Sequence, residues 1–236
     1  MQPQPNNPSS APNRPQVDRP ASPDELRAWV EAQTDGTVTG WSQISGGNRC
    51  RSWAVDVATP DNKLLALYLR YQPPRPPSAE PYTVWREAEF YHALAGSSVL
   101  APKLIAVHPE TQAILTERVS GRADYRRVKD EREREAIIRD FIIALSTLHK
   151  TPVSNRELPG LEDGATIADC VRKELMIWRA MYEETGRKDP FIDFALSWLD
   201  ANVPNPAGRP VLVHGDAGPG NFLFENCNSC LLARVI

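Results

Sequence analysis

Two side chains with complementary chemistry stand five positions apart in the stretch Val211–Phe224, VLVHGDAGPGNFLF: Asp216 and Asn221. A carboxylate and a carboxamide on one tight loop suit phosphoryl transfer. The carboxylate orients an attacking hydroxyl and can accept its proton. The amide oxygen is a hard ligand of the kind Mg²⁺ takes when it sits on nucleotide phosphates. Val211-Leu212-Val213 reads as a short buried strand ahead of the loop, and Phe222-Leu223-Phe224 as a strand after it. A plainer reading is a strand–turn–strand hairpin in which Asp216 and Asn221 serve only as turn residues.

The elements upstream must hold that loop in place. Ser22-Pro23-Asp24-Glu25 signals a helix start, with Ser22 as N-cap, Pro23 in the first turn and Glu25 completing a capping box. Leu26, Trp29 and Val30 share one face of that helix. Thr37–Ile44 is rich in strand formers, and Trp53, Val55 and Val57, then Leu65, Leu67 and Leu69, alternate with other residues as on half-buried strands. Between the first two strands lies Ser45-Gly46-Gly47-Asn48-Arg49. Glycines there let backbone N–H groups approach a phosphate, although Gly-Gly is as often a plain hairpin turn. Val84–Ala95 reads as a helix, and Lys103–Val107 and Ala113–Val119 as two further strands. From Asp130 the pattern turns helical. Ile137, Ile138, Phe141, Ile142, Leu145 and Leu148 repeat at helical spacing, with His149 at the end as a capping or packing residue. Thr166–Glu184 is expected to bury Val171, Leu175 and Trp178, and Phe191–Leu199 to bury Phe194, Trp198 and Leu199.

With these elements in order, the sequence resembles the aminoglycoside phosphotransferase and choline kinase branch of the protein kinase-like fold. The closest likeness is His214-Gly215-Asp216 followed by Asn221; it is diffuse elsewhere over about Ala21 to Asn226. The resemblance implies an α+β, two-lobe fold with a small antiparallel sheet lobe and a mostly helical large lobe. It implies a division into a nucleotide-binding lobe over 22–121 and a helical lobe over 122–236, after a Pro-rich tail over residues 1–21 whose composition, poor in large apolar residues, reads as disordered. It further implies a transfer from ATP or GTP, with Mg²⁺, to a hydroxyl of a small molecule. Asp216 would be the base, Asn221 a metal ligand and His214 a support for the loop. Gly46 and Gly47 would form the phosphate loop, with Arg70 as the phosphate cation and Glu87 its partner on the following helix (Glu89 being the rival). Thr116–Gly121, with Glu117, resembles the hinge that takes the base of the nucleotide.

The resemblance also implies a second metal-binding acid beyond Asn226, and more helices after it. No Asp or Glu follows Glu225 in this chain. The change of character after Asn226 is expected to mark a truncated or frameshifted end, leaving apolar surface of the helical lobe uncovered. The alternative expectation is a nucleotide-binding relic of the same fold without turnover.

Composition narrows the other function classes. The 236 residues, 41% of them hydrophobic, can bury one sizeable core or two small ones, and the formal net charge is −3. Near-balanced charge argues against a general nucleic-acid binder. No apolar run approaches the length that spans a bilayer, and the polar N-terminus lacks a signal peptide's apolar core, so a cytoplasmic protein without a membrane partner is expected. Four cysteines are too few for a disulfide scaffold, and Cys227-x-x-Cys230 lacks the second pair of a metal site.

Overall fold

The computed structural model describes residues 18–44, 49–74, 82–152, 165–227 and 230–235, with side chains up to residue 225. Its first element is the helix α1, Pro23–Thr34. Ser22 caps it, and both halves of the capping box form: the Ser22 side chain accepts from the Glu25 backbone N–H, and the Glu25 carboxylate accepts from the Ser22 N–H. Strands β1 (Thr37–Ile44), β2 (Arg51–Ala58), β3 (Leu64–Tyr71), β4 (Leu104–Val107) and β5 (Ala113–Glu117) make one sheet in the order β1-β2-β3-β5-β4, every neighbouring pair antiparallel. Helix α2, Val84–Leu94, lies between β3 and β4 in sequence.

Period-2 alternation splits the sheet into two faces. Trp53, Val55, Val57, Leu67, Leu69 and Leu115 point to one face and bury against Leu26 and Val30 of α1. The intervening residue Ile114 points to the other face, where it is buried with Val84 and Ala88 of α2. The sheet therefore has a helix on each side, and α2 covers the face that carries Arg70, since Arg70 pairs with Ile114 in the β3–β5 register.

The N-terminal boundary differs from expectation. Asp18–Ala21 fall within the stretch read as a disordered tail, yet they are tied to the sheet. Arg19 N donates to Glu110 O at 3.1 Å, Ala21 N to the Tyr71 hydroxyl at 3.0 Å, and Gln112 Nε2 to Asp18 Oδ2 at 2.7 Å. Polar partners downstream fix what composition alone reads as loose.

After β5 a 3₁₀ turn, Tyr125–Arg127, leads into helix α3, Glu131–Lys150. Ile137, Phe141 and Leu148 of α3 are buried, as the helical spacing requires, while Ile142 is exposed. Helices α4 (Ile167–Glu184) and α5 (Pro190–Ala201) follow, then a hairpin of β6 (Phe222–Cys227) and β7 (Cys230–Val235), whose second strand lies against α3. The backbone of Phe224 exchanges hydrogen bonds with Arg122, tying β6 to the segment that leaves the sheet.

Two expectations fail here for one reason. Ala168 of α4 and Leu196 of α5 are buried and Val171 and Leu175 are half-buried, whereas Trp178, Phe194, Trp198 and Leu199 are exposed. Val211-Leu212-Val213 is not a strand, and Val211 and Val213 face out while only Leu212 is buried. Amphipathic spacing predicts which residues share a face, but a second element must pack on that face before it becomes core.

Candidate active site

The loop carrying Asp216 is pinned at both ends. Leu212 is buried with Ala93 of α2, Val99 and Leu148 of α3. Phe222 and Phe224 are buried with Val128, Ile137 and Phe141, and the Phe141 and Phe222 rings stack with centroids 4.2 Å apart. Between the anchors the chain turns sharply. Gly215 and Gly220 have φ of 82° and 102°, values that L side chains rarely adopt, so a glycine stands on each side of the Asp216 turn.

The turn itself brings Asp216 and Asn221 together. The Asp216 carbonyl accepts from Gly218 N at 2.9 Å and from Asn221 Nδ2 at 2.9 Å. Asn221 N donates to Gly218 O at 3.1 Å. With its amide nitrogen held, Asn221 has its oxygen left to accept or ligate. Asp216 N approaches His214 Nδ1 at 3.4 Å, so His214 lies against the backbone of the turn. The Asp216 carboxylate makes no hydrogen bond or ion pair among the described residues and is exposed. An unengaged carboxylate beside a held amide can orient a hydroxyl and take its proton.

A second group forms between sheet and helix. Arg70 Nε lies 3.3 Å from Glu87 Oε2. Register places Arg70 on the α2 face, and Glu87 sits in the first turn of α2, so strand and helix deliver opposite charges to one point. Glu87, not Glu89, meets the cation. Burial disfavours the Arg70 charge, but Glu87, with Cys50 and Tyr68, holds its pKa above the usual arginine value. Sequence reasoning missed Cys50 and Tyr91 at this point. Cys50 lies near enough to Arg70 to favour its charge, and Tyr91 donates to Glu87 Oε1 at 2.9 Å. The i, i+4 spacing of Glu87 and Tyr91 was the available signal for the second.

Glu117 ends β5 and is exposed; its N–H donates to Lys103 O at 2.9 Å, and Arg118 N to Ala66 O at 2.9 Å. Beyond them Gly121 adopts φ of 133° and packs against β6, where a Cβ would lie 3.2 Å from Leu223 Cβ and Phe224 O. Gly46 and Gly47 lie outside the described residues, as do the side chains of Cys227 and Cys230.

The family model described as the phosphotransferase enzyme family (APH) matches residues 40–232. The chain belongs to this family. Among solved structures, this family member is similar to APH(2″)-IIa in its ternary complex with streptomycin and ATP. The TM-score is 0.56 at 16% identity, covering 90% of this chain and 69% of that one. It is also similar to a thermostable mutant of aminoglycoside phosphotransferase APH(4)-Ia in complex with AMP-PNP and hygromycin B. There the TM-score is 0.59 at 14% identity, covering 89% and 69%. These likenesses establish the protein kinase-like α+β fold. Acyl-CoA dehydrogenase family member 11 of Pongo abelii and of Homo sapiens are each 26% identical over 167 residues, 66% of this chain. The phosphotransferase family chain spans about a fifth of the length of these curated relatives (21%).

The donor set at this turn suits a hard divalent cation. Asp216 and Asn221 offer oxygens only. Among the described residues no three His, Cys, Asp or Glu side chains gather closely enough to hold a metal unaided. A divalent ion there needs phosphate oxygens and water to complete its shell, which is the usual habit of Mg²⁺. Glu225, the last acid of the chain, accepts a hydrogen bond from the Ser120 hydroxyl.

Proposed function

We propose that this protein transfers the terminal phosphoryl group of ATP or GTP to a hydroxyl of a small molecule. The observation that carries the reading is the pinned turn in which the Asn221 amide is tied to the Asp216 backbone while the Asp216 carboxylate stays unengaged. In this reading Asp216 orients the acceptor hydroxyl and receives its proton, and Asn221 offers its oxygen to the metal. A bound Mg²⁺, held there by Asn221, would supply positive charge to the nucleotide phosphates. His214 keeps the turn in shape. Arg70, oriented by Glu87, contacts the nucleotide phosphates, and Gly46 and Gly47 supply backbone N–H groups to them. The segment Thr116–Gly121, with Glu117 at its start, takes the base and divides a nucleotide lobe over 22–121 from a helical lobe over 122–236. A cytoplasmic location fits a nucleotide donor; no helix among the described residues is long and apolar enough to cross a membrane.

One observation favours a second reading, a nucleotide-binding protein of the same fold without turnover. Among the described residues no three His, Cys, Asp or Glu side chains gather to form a metal site. Calorimetry of ATP binding with and without Mg²⁺, together with transfer of labelled phosphate to a panel of hydroxylated small molecules, separates the two. The first reading expects Mg²⁺-dependent binding and transfer. It also expects Asp216→Ala to keep ATP binding while transfer falls about 10²–10⁴-fold, the usual contribution of a positioned base. Unchanged transfer by Asp216→Ala removes Asp216 from the reaction. ATP binding that ignores Mg²⁺, with no transfer, establishes the second reading.

A further inference from the structure

We propose that Tyr91 is a positioning residue for nucleotide phosphates, acting through Glu87 on Arg70; this rests on the reading of Arg70 given above. The Glu87 carboxylate is divided between two elements. Its Oε1 accepts from the Tyr91 hydroxyl at 2.9 Å, one turn along the same helix, and its Oε2 faces Arg70 Nε at 3.3 Å from the strand side. The two contacts differ in kind. The first is a well-formed hydrogen bond. The second is an ion pair without hydrogen-bond alignment, since Arg70 Nε is buried and has no hydrogen-bond partner among the described residues. Arg70 is thus held by the position of a charge and not by a directed bond to it. What fixes the carboxylate then fixes the guanidinium.

Tyr91 is placed to do this. Its ring packs against the cluster of Val84, Ala88 and Ile114, so the phenol is held by core residues of both helix and sheet. Burial, and then the Glu87 charge, push the phenol well above its usual pKa, so it stays a donor across the physiological range. Cys50 and Tyr68 lie near enough to Arg70 to favour its charge, and the Tyr68 hydroxyl donates to Ser52 Oγ at 2.8 Å on the same sheet face. From the helix side, Tyr91 is the contact that orients Glu87.

The test compares affinities for MgATP and for adenosine, which lacks phosphates, in the full chain. Tyr91→Phe removes only the hydroxyl, and thermal unfolding checks that the variant folds. The expected result is MgATP affinity weaker by about 3–10-fold, a fraction of what a hydrogen bond to a charged group can contribute, with adenosine affinity unchanged. In a Glu87→Ala background the same substitution should have no further effect, because the group through which it acts is gone. Arg70→Ala is the control for the underlying reading. If Arg70→Ala weakens MgATP binding and Tyr91→Phe does not, the role of Tyr91 is overturned and that of Arg70 stands. If Tyr91→Phe weakens adenosine equally, or weakens MgATP equally without Glu87, its effect is structural and the proposal fails. If Arg70→Ala leaves MgATP affinity unchanged, or the chain binds no MgATP, the reading of Arg70 fails and the proposal with it.

Discussion

At the scale of single residues, the chemistry divides into groups that hold shape and groups left unengaged. Asp216 is in the second class, and its neighbours His214, Gly218 and Asn221 are occupied with the backbone of the turn. A residue of the first class yields a pH prediction. His108 is buried, and its Nδ1 accepts from the backbone N–H groups of Glu110 at 3.1 Å and Thr111 at 3.2 Å, a role open only to the neutral ring. Burial, and then the nearby Arg19 charge, lower its pKa from the ordinary 6.5. The unfolded chain therefore binds more protons than the folded one just below that value, and stability falls as pH drops through it. Chemical denaturation at about pH 7.5 and about pH 5.5 should show lower stability at the acid end, and His108→Phe should flatten that difference. The same loop bonds Asp18 and Arg19 through Gln112, Glu110 and Thr111, and none of this is legible in the sequence, because His108 stands in no recognisable pattern with its backbone donors.

At the scale of elements, local signals were read well where they are self-contained. The capping box of Ser22 and Glu25, the alternation of β2 and β3, and the apolar spacing of α3 each specify an element without help from elsewhere. The strand β6 was legible from Phe222-Leu223-Phe224, and it also anchors the candidate site, since Asn221 immediately precedes it. Phe222 is 1% and Phe224 0% exposed, so Phe222→Ala should destabilise the fold by about 3–5 kcal/mol through lost burial and the cavity left beside Phe141. Denaturant unfolding reads the loss directly. Unchanged stability would mean that the stacked pair does not hold the loop. Val211-Leu212-Val213 was misread because three apolar residues in a row satisfy a strand pattern equally well when a single one of them, Leu212, serves as an anchor.

At the scale of the whole molecule, the uneven distribution of core has a measurable consequence. The sheet is sealed on both faces by α1 and α2. The helical part is not: Phe194 is 64% and Trp198 54% exposed, with Trp178, Met176, Phe191 and Leu199 also facing out. Apolar surface of this kind favours association. The purified chain should bind a hydrophobic dye such as ANS and scatter light in proportion to concentration. Phe194→Ser with Trp198→Ser should reduce both. A monomer that binds no dye would contradict this expectation. The sequence by itself determined the family resemblance, the order of strands and helices, the Asp216–Asn221 loop and the charge types at Arg70 and Glu87. Each of those is written in local spacing, which short-range sterics and hydrogen bonding convert directly into structure. Only the tertiary structure decided that Glu87 and not Glu89 meets Arg70, that Tyr91 holds the other carboxylate oxygen, and that Trp178 of α4 and Phe194 and Trp198 of α5 face outward. Those outcomes depend on which element packs on which face, and packing joins residues that no sequence interval relates.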